Sequence, residues 1–202
     1  MKNKIIHDAV ILTVITVVAG FLLGLVHDIT LQPIRDAERK KQQRAYKQVF
    51  SDAHDFEEYA DFDADAATKA AADAGFANDL VEGAQVALDE SGNPLGYVIT
   101  VTSTEGSQAN ITLSMGVTLD GVLNGYETTK ISETPGLGSK VADADFKAQF
   151  EGKSEETYTV TKTGASAANE IDALSGATIS TRAVTNAINA GLAYFRSIGG
   201  GN

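Results

Sequence analysis

Two short segments carry residue types that bind or modify a small ligand. The first is Asp172-Ala173-Leu174-Ser175-Gly176-Ala177-Thr178. Behind it, in Ser180–Phe195, Val184, Ile188, Leu192 and Phe195 recur at intervals of four, four and three. That spacing predicts an amphipathic helix, ended by Gly199-Gly200-Gly201 and capped at its start by Ser180 or Thr181. A helix N-terminus offers unpaired N–H groups and a positive dipole end, and Gly176 lets the backbone come close to an anion. Phosphate is the natural ligand of such a place; an ordinary capped loop is the competing reading.

The second segment is Glu133-Thr134-Pro135-Gly136-Leu137-Gly138-Ser139-Lys140. Pro135 fixes the backbone, and Gly136 and Gly138 permit turns that a side chain would forbid. The product is a tight loop able to press on a flat ligand, with Glu133 and Lys140 as polar groups. A connecting turn closed by a Glu133–Lys140 salt bridge fits equally well, and nearby Tyr126 either stacks on a ring or packs in the core.

Other chemistries lack their residues. The chain has no cysteine, which removes disulfides, thiolate metal sites, iron–sulfur ligation, attached haem and thiol nucleophiles together. His7, His27 and His54 show no metal-binding spacing, and no histidine follows His54 to serve Ser175 as a base. Asp52–Asp73 carries eight acidic residues against the single Lys69, without coordinating spacing, and reads as a solvated helical face or loop. A net charge of -11 repels a polyphosphate backbone, so nucleic acid is not an expected partner.

These segments need a scaffold, and 202 residues supply one domain plus an appendage. Ala9–Val26 is a run of 18 residues without a charge, long enough to cross a bilayer. A signal peptide is the alternative, but the run is longer than a signal core and no small-x-small site follows it. Lys2 and Lys4 precede the run, whereas Arg35, Arg39, Lys40, Lys41 and Arg44 follow it. A plain positive-inside count therefore places the C-terminal part in the cytoplasm. Beyond Pro33, Ile34–Phe50 reads as a juxtamembrane helix.

The middle is β-rich. Gln85–Leu88 and Leu95–Thr102 flank a Gly/Asn/Pro turn, Ile111–Leu119 and Val122–Tyr126 flank Asp120-Gly121, and Thr157–Thr161 is a further short strand. The expected fold is α+β: one transmembrane helix over about residues 9–26, then a twisted antiparallel sheet with packed helices. The expected division is an anchor over 1–30, a juxtamembrane helical segment over 31–80 and a ligand-binding domain over 81–202.

Taken together, the anchor with Thr30 and Pro33-Ile34, Gly96-Tyr97-Val98, the Asp120-Gly121 hairpin, ETPGLGSK, FKAQFEGK (Phe146–Lys153) and DALSGATIST identify the sequence as similar to a known family. It resembles RnfG, the FMN-binding component of the Rnf ion-translocating ferredoxin:NAD oxidoreductase complex. More distantly, it is similar to the C-type component of the sodium-translocating NADH:quinone reductase. Asp172–Thr178 satisfies the family's flavinylation pattern, Asp-x-x-Ser/Thr-Gly-Ala-Thr, at every position.

The resemblance implies an electron carrier whose FMN is bound to Thr178 through a phosphoester, installed by a separate flavin transferase. Ser175, Gly176 and Ala177 would shape the phosphate cradle, and Asp172 belongs to the pattern the transferase reads. Glu133, Thr134, Gly136, Leu137 and Gly138 would line the flavin. The family's frequent histidine two residues before the glutamate is Ile131 here. Implied partners are the other subunits of a membrane Rnf-type complex and membrane lipid, with the flavin domain on the extracytoplasmic side, opposite to the charge count. A flavinylated carrier for another extracytosolic reductase and a non-redox surface binding domain are the remaining readings.

Overall fold

A computed structural model describes residues 2–201, which divide into a unit ending at Lys41 and a unit beginning at Gln42. Helix α1 spans Lys2–Val49 and runs through Pro33, so the helix expected to start at Ile34 continues the one before it. An 18-residue window of α1 reaches a mean hydropathy of 2.7, with none of it buried in the protein. So many exposed Leu, Ile, Val and Phe side chains suit lipid rather than water. The hydroxyls of Thr13, Thr16 and Thr30 donate to the carbonyls of Ala9, Thr13 and Val26 at 2.9, 2.9 and 2.8 Å, so these polar atoms are satisfied within the helix. Among the described residues, one N-terminal helix is thus long and apolar enough for a single pass.

The unit beginning at Gln42 is built on an antiparallel sheet in the order β1-β2-β3-β4-β5. Its strands are β1 (Asp55–Glu58), β2 (Asp79–Leu88), β3 (Pro94–Ser103), β4 (Ile111–Thr118) and β5 (Leu123–Lys130). The acidic stretch expected to be a solvated face or loop forms β1 and then α2 (Ala64–Asp73), whose N-cap Asp63 accepts from the Ala66 N–H at 2.9 Å. At the expected Asp120-Gly121 turn, Gly121 has φ +83°, which a side chain would resist.

Alternation along the strands gives the sheet two apolar faces. Ile99, Val101, Leu113 and Met115 share one core with Val184, Ile188 and Leu192 of α4 (Thr178–Ser197), and α2 adds Ala67 and Ala71. On the other face Ala87 and Val98 meet Tyr46, Val49 and Phe50. That second contact accounts for Gly116, where a Cβ would lie 2.9 Å from Val49 Cβ, and contributes at Gly96, where a Cβ would lie 2.2 Å from the Val117 carbonyl oxygen of β4 and 2.7 Å from Phe50 Cζ.

After β5 come a 3-10 turn (Gly138–Ala142), α3 (Ala144–Lys147), β6 (Thr159–Thr161) and β7 (Glu170–Asp172). The β6–β7 pair is parallel, where only antiparallel pairing was expected. Carboxylates close its connection: Glu170 accepts from Ser166 N at 2.7 Å and Asp172 from Ala165 N at 2.6 Å. Tyr126 is a core residue, edge-on to Phe150 at 5.5 Å, with its hydroxyl donating to the Val141 carbonyl.

Candidate cofactor site

Helix α4 begins at Thr178, two and three residues before the expected caps Ser180 and Thr181. Its N-cap is Ala177, which has no side chain able to accept from the first turn. Ser180 and Thr181 lie inside the helix and bond elsewhere: Ser180 Oγ donates to Glu133 Oε2 at 2.8 Å, and Thr181 Oγ1 to the Ala177 carbonyl at 2.9 Å. The first N–H groups of this 20-residue helix are therefore left for an external acceptor.

The ETPGLG loop faces this helix start. The Leu137 N–H donates to the Thr134 carbonyl at 3.1 Å, and Gly136 takes φ +76° to complete the turn. The two segments also approach at Gly176, where a Cβ would sit 3.3 Å from Leu137 Cδ2. Between them lies a cleft of about 310 Å³, lined by Glu133, Thr134, Leu137, Gly138, Gly176, Ala177, Thr178, Ile179 and Ser180, with Ser107 from the β3–β4 loop. Small-molecule clefts run from about 300 to 1,000 Å³.

The lining has two characters. Leu137 and Ile179 are 46% and 55% exposed, an apolar rim that water solvates poorly. The helix start supplies donors, and Thr178 supplies a hydroxyl beside them. An apolar rim next to orphan donors and a hydroxyl fits a ligand with a flat apolar ring and a phosphate tail, as FMN has.

Glu133 stands differently from expectation. Among the described residues it forms no ion pair with Lys140; it is buried, and its oxygens accept from Ser180 Oγ and from the Gln108 N–H, the latter at 3.1 Å. Gly138 lets this happen, since a Cβ there would lie 2.3 Å from Glu133 Oε2 and 2.5 Å from Ser180 Oγ.

Asp172 and Ser175 do not line the cleft. Asp172 sits at the end of β7, where its N–H donates to Gln149 Oε1 at 2.7 Å while its carboxylate holds the Ala165 N–H. Gly136 shapes the turn without lining the cleft. Sequence reasoning missed Ser107 and Gln108, which carry no local signal, and read Ser180 only as a cap. Among the described residues no cluster of His, Asp and Glu is placed to hold a metal ion.

Comparison with known proteins agrees with both ends of the chain. The FMN-binding domain family matches residues 106–193, and the RnfG N-terminal region matches residues 1–49. The G component of the ion-translocating oxidoreductase complex of Methanosarcina acetivorans is 33% identical over 199 residues, covering 96% of this chain and 95% of the relative. The G component of the Na(+)-translocating ferredoxin:NAD(+) oxidoreductase complex of Acetobacterium woodii is 33% identical over 193 residues, covering 93% and 90%. Among solved structures, NqrC of Shewanella oneidensis has a TM-score of 0.48 and 23% identity, over 56% of this chain and 57% of that one. With two relatives of this similarity spanning nearly its whole length, the chain belongs to the RnfG family of ion-translocating oxidoreductase complex subunits.

Proposed function

We propose that this chain carries electrons, on FMN bound covalently to Thr178, within a membrane complex that couples ferredoxin:NAD electron transfer to ion translocation. Membership of the RnfG family supports the complex and its reaction, and the FMN-binding domain match supports the cofactor. One observation carries the attachment site: Thr178 opens a helix that has no side-chain cap, in the same cleft as the apolar Leu137 and Ile179.

Bound FMN supplies the redox chemistry through its isoalloxazine. The residues of this chain seat it. In the attachment, Thr178 Oγ would lose its proton and form a bond to the flavin-bearing phosphorus of a flavin dinucleotide brought by a flavin transferase, while the phosphoanhydride bond at that phosphorus breaks and the departing nucleoside monophosphate takes the proton. The chain gains FMN less one water. The phosphodiester keeps one negative charge, which the free N–H groups and the dipole of α4 stabilise. Leu137 and Ile179 would cover ring surface, and Gly176 keeps side-chain bulk out of the approach.

The remaining parts of the proposal concern placement. The domain faces the extracytoplasmic side, with α1 in lipid, and its partners are the other subunits of an Rnf-type complex. A covalent link suits that side, where a dissociated flavin would be diluted away.

Co-expressed with a flavin transferase, the chain should give a yellow-fluorescent band on a denaturing gel and an intact mass raised by FMN less one water. Thr178→Val should abolish both and leave thermal unfolding of the domain unchanged. An unlabelled wild-type chain overturns the covalent assignment, and a labelled variant moves it to another residue.

A further inference from the structure

Glu133 belongs to the segment expected to line a flavin, yet both of its carboxylate oxygens are engaged inside the protein. Oε2 accepts from Ser180 Oγ at 2.8 Å and Oε1 from the Gln108 N–H at 3.1 Å. Ser180 is 1% exposed and Glu133 7% exposed, so water competes little for these bonds. The three residues come from three separate segments: the β3–β4 loop, the ETPGLG loop and the first turn of α4. Those same segments supply Ser107, Leu137 and Thr178 to the cleft.

The packing around this junction leaves no slack. A Cβ on Gly138 would come within 2.3 Å of Glu133 Oε2 and 2.5 Å of Ser180 Oγ, and one on Gly106 within 3.0 Å of Glu133 Oε1. Glycine at 138 is what allows the loops to close on the carboxylate, whereas at Gly106 a Cβ would first meet the Ala109 carbonyl oxygen of its own loop, at 1.9 Å. The carboxylate also sits by the first turn of α4, where the helix dipole favours a negative charge.

We propose that Glu133 and Ser180 form a brace that fixes the spacing of the two cleft loops from the start of α4 and so holds Thr178 in position for flavin attachment. Ser180 is a positioning residue, and the Glu133 carboxylate acts through Ser180 and the Gln108 N–H rather than through the flavin. The functional consequence rests on the covalent FMN reading; the brace itself is a property of the unloaded chain.

Two measurements on the full-length chain in detergent test it. With purified flavin transferase, Ser180→Ala and Gly138→Ala should each slow covalent flavin attachment by about tenfold, as expected when a buried hydrogen bond to a charged group is lost. Glu133→Ala should do the same. Glu133→Gln should come close to wild type, because an amide can accept from Gln108 and donate to Ser180 Oγ. In the unloaded chain, hydrogen exchange at the Gln108 amide should be several-fold faster in Ser180→Ala, although Ser180 does not touch Gln108.

Unchanged attachment rates in Ser180→Ala and Gly138→Ala overturn the proposal, as does a Glu133→Gln variant no better than Glu133→Ala, which would assign the role to the charge. Unchanged Gln108 exchange overturns it independently of any flavin. A wild-type chain that takes up no covalent flavin defeats the attachment reading instead, and Gln108 exchange then decides the brace alone.

Discussion

At the scale of single residues, the chemistry depends on which polar atoms are satisfied. The first turn of α4 keeps free donors because Ala177 occupies the capping position while Ser180 and Thr181 bond elsewhere. Asp79 is the opposite case. It is 1% exposed at the start of β2, and neither carboxylate oxygen has a hydrogen-bond partner among the described residues. Burial pushes its pKa up to about 6, with the Ser103 hydroxyl, near but outside hydrogen-bond geometry, opposing the rise and Glu105 adding to it. The folded chain therefore binds a proton there that the unfolded chain, at 3.8, releases. Stability falls as the pH rises from about 4 to about 6 and stays lower above that. Asp79→Asn should raise the stability of the domain at pH 8 by about 1–3 kcal/mol, a few degrees in Tm, with the gain vanishing near pH 4. Thermal melts across that range check it, and an equal gain at both ends would assign the effect to packing instead.

At the scale of elements, the sheet is held from both faces. Helix α4 buries Val184, Ile188 and Leu192 in the core shared with β3 and β4, which fixes the body of the helix that opens at Thr178. The opposite face is covered by the last turn of α1, with Val49 and Phe50 seated over Gly116 and Gly96. Asn124 Nδ2 fixes that turn by donating to the Val49 carbonyl at 3.1 Å. Gly116→Ala, whose Cβ would lie 2.9 Å from both Val49 Cβ and the Val49 carbonyl oxygen, should cost about 1–3 kcal/mol of stability. Denaturant unfolding measures that loss, and no loss would mean that the turn moves off the sheet freely.

At the scale of the whole molecule, the apolar run lies in the unit ending at Lys41, and the candidate site in the unit beginning at Gln42. The cations that follow the run oppose the proposed extracytoplasmic placement, but long translocated domains override nearby charge, and partner subunits can fix insertion. Protease added to intact cells should digest the domain while a cytoplasmic control survives. A protected domain would reverse the orientation.

Local pattern was enough for several features. The apolar run, the period of α4, the Asp120-Gly121 turn and the strand segments Leu95–Thr102 and Ile111–Leu119 depend on neighbours in the chain, and each matches an observed element. The two ligand-type segments were also visible, since glycine, proline and hydroxyl residues before a helix leave a local signature. Long-range closure decided the rest. Three-residue strands such as β6 and β7 are too short to show a period, and their parallel pairing depends on loop carboxylates. Sequence suggested Glu133 as a flavin contact or a partner of Lys140, and Ser180 as a helix cap. Only folding brings Ser180 and the Gln108 N–H to that carboxylate, because a buried charge takes the donors that tertiary packing delivers, whatever stands beside it in the chain.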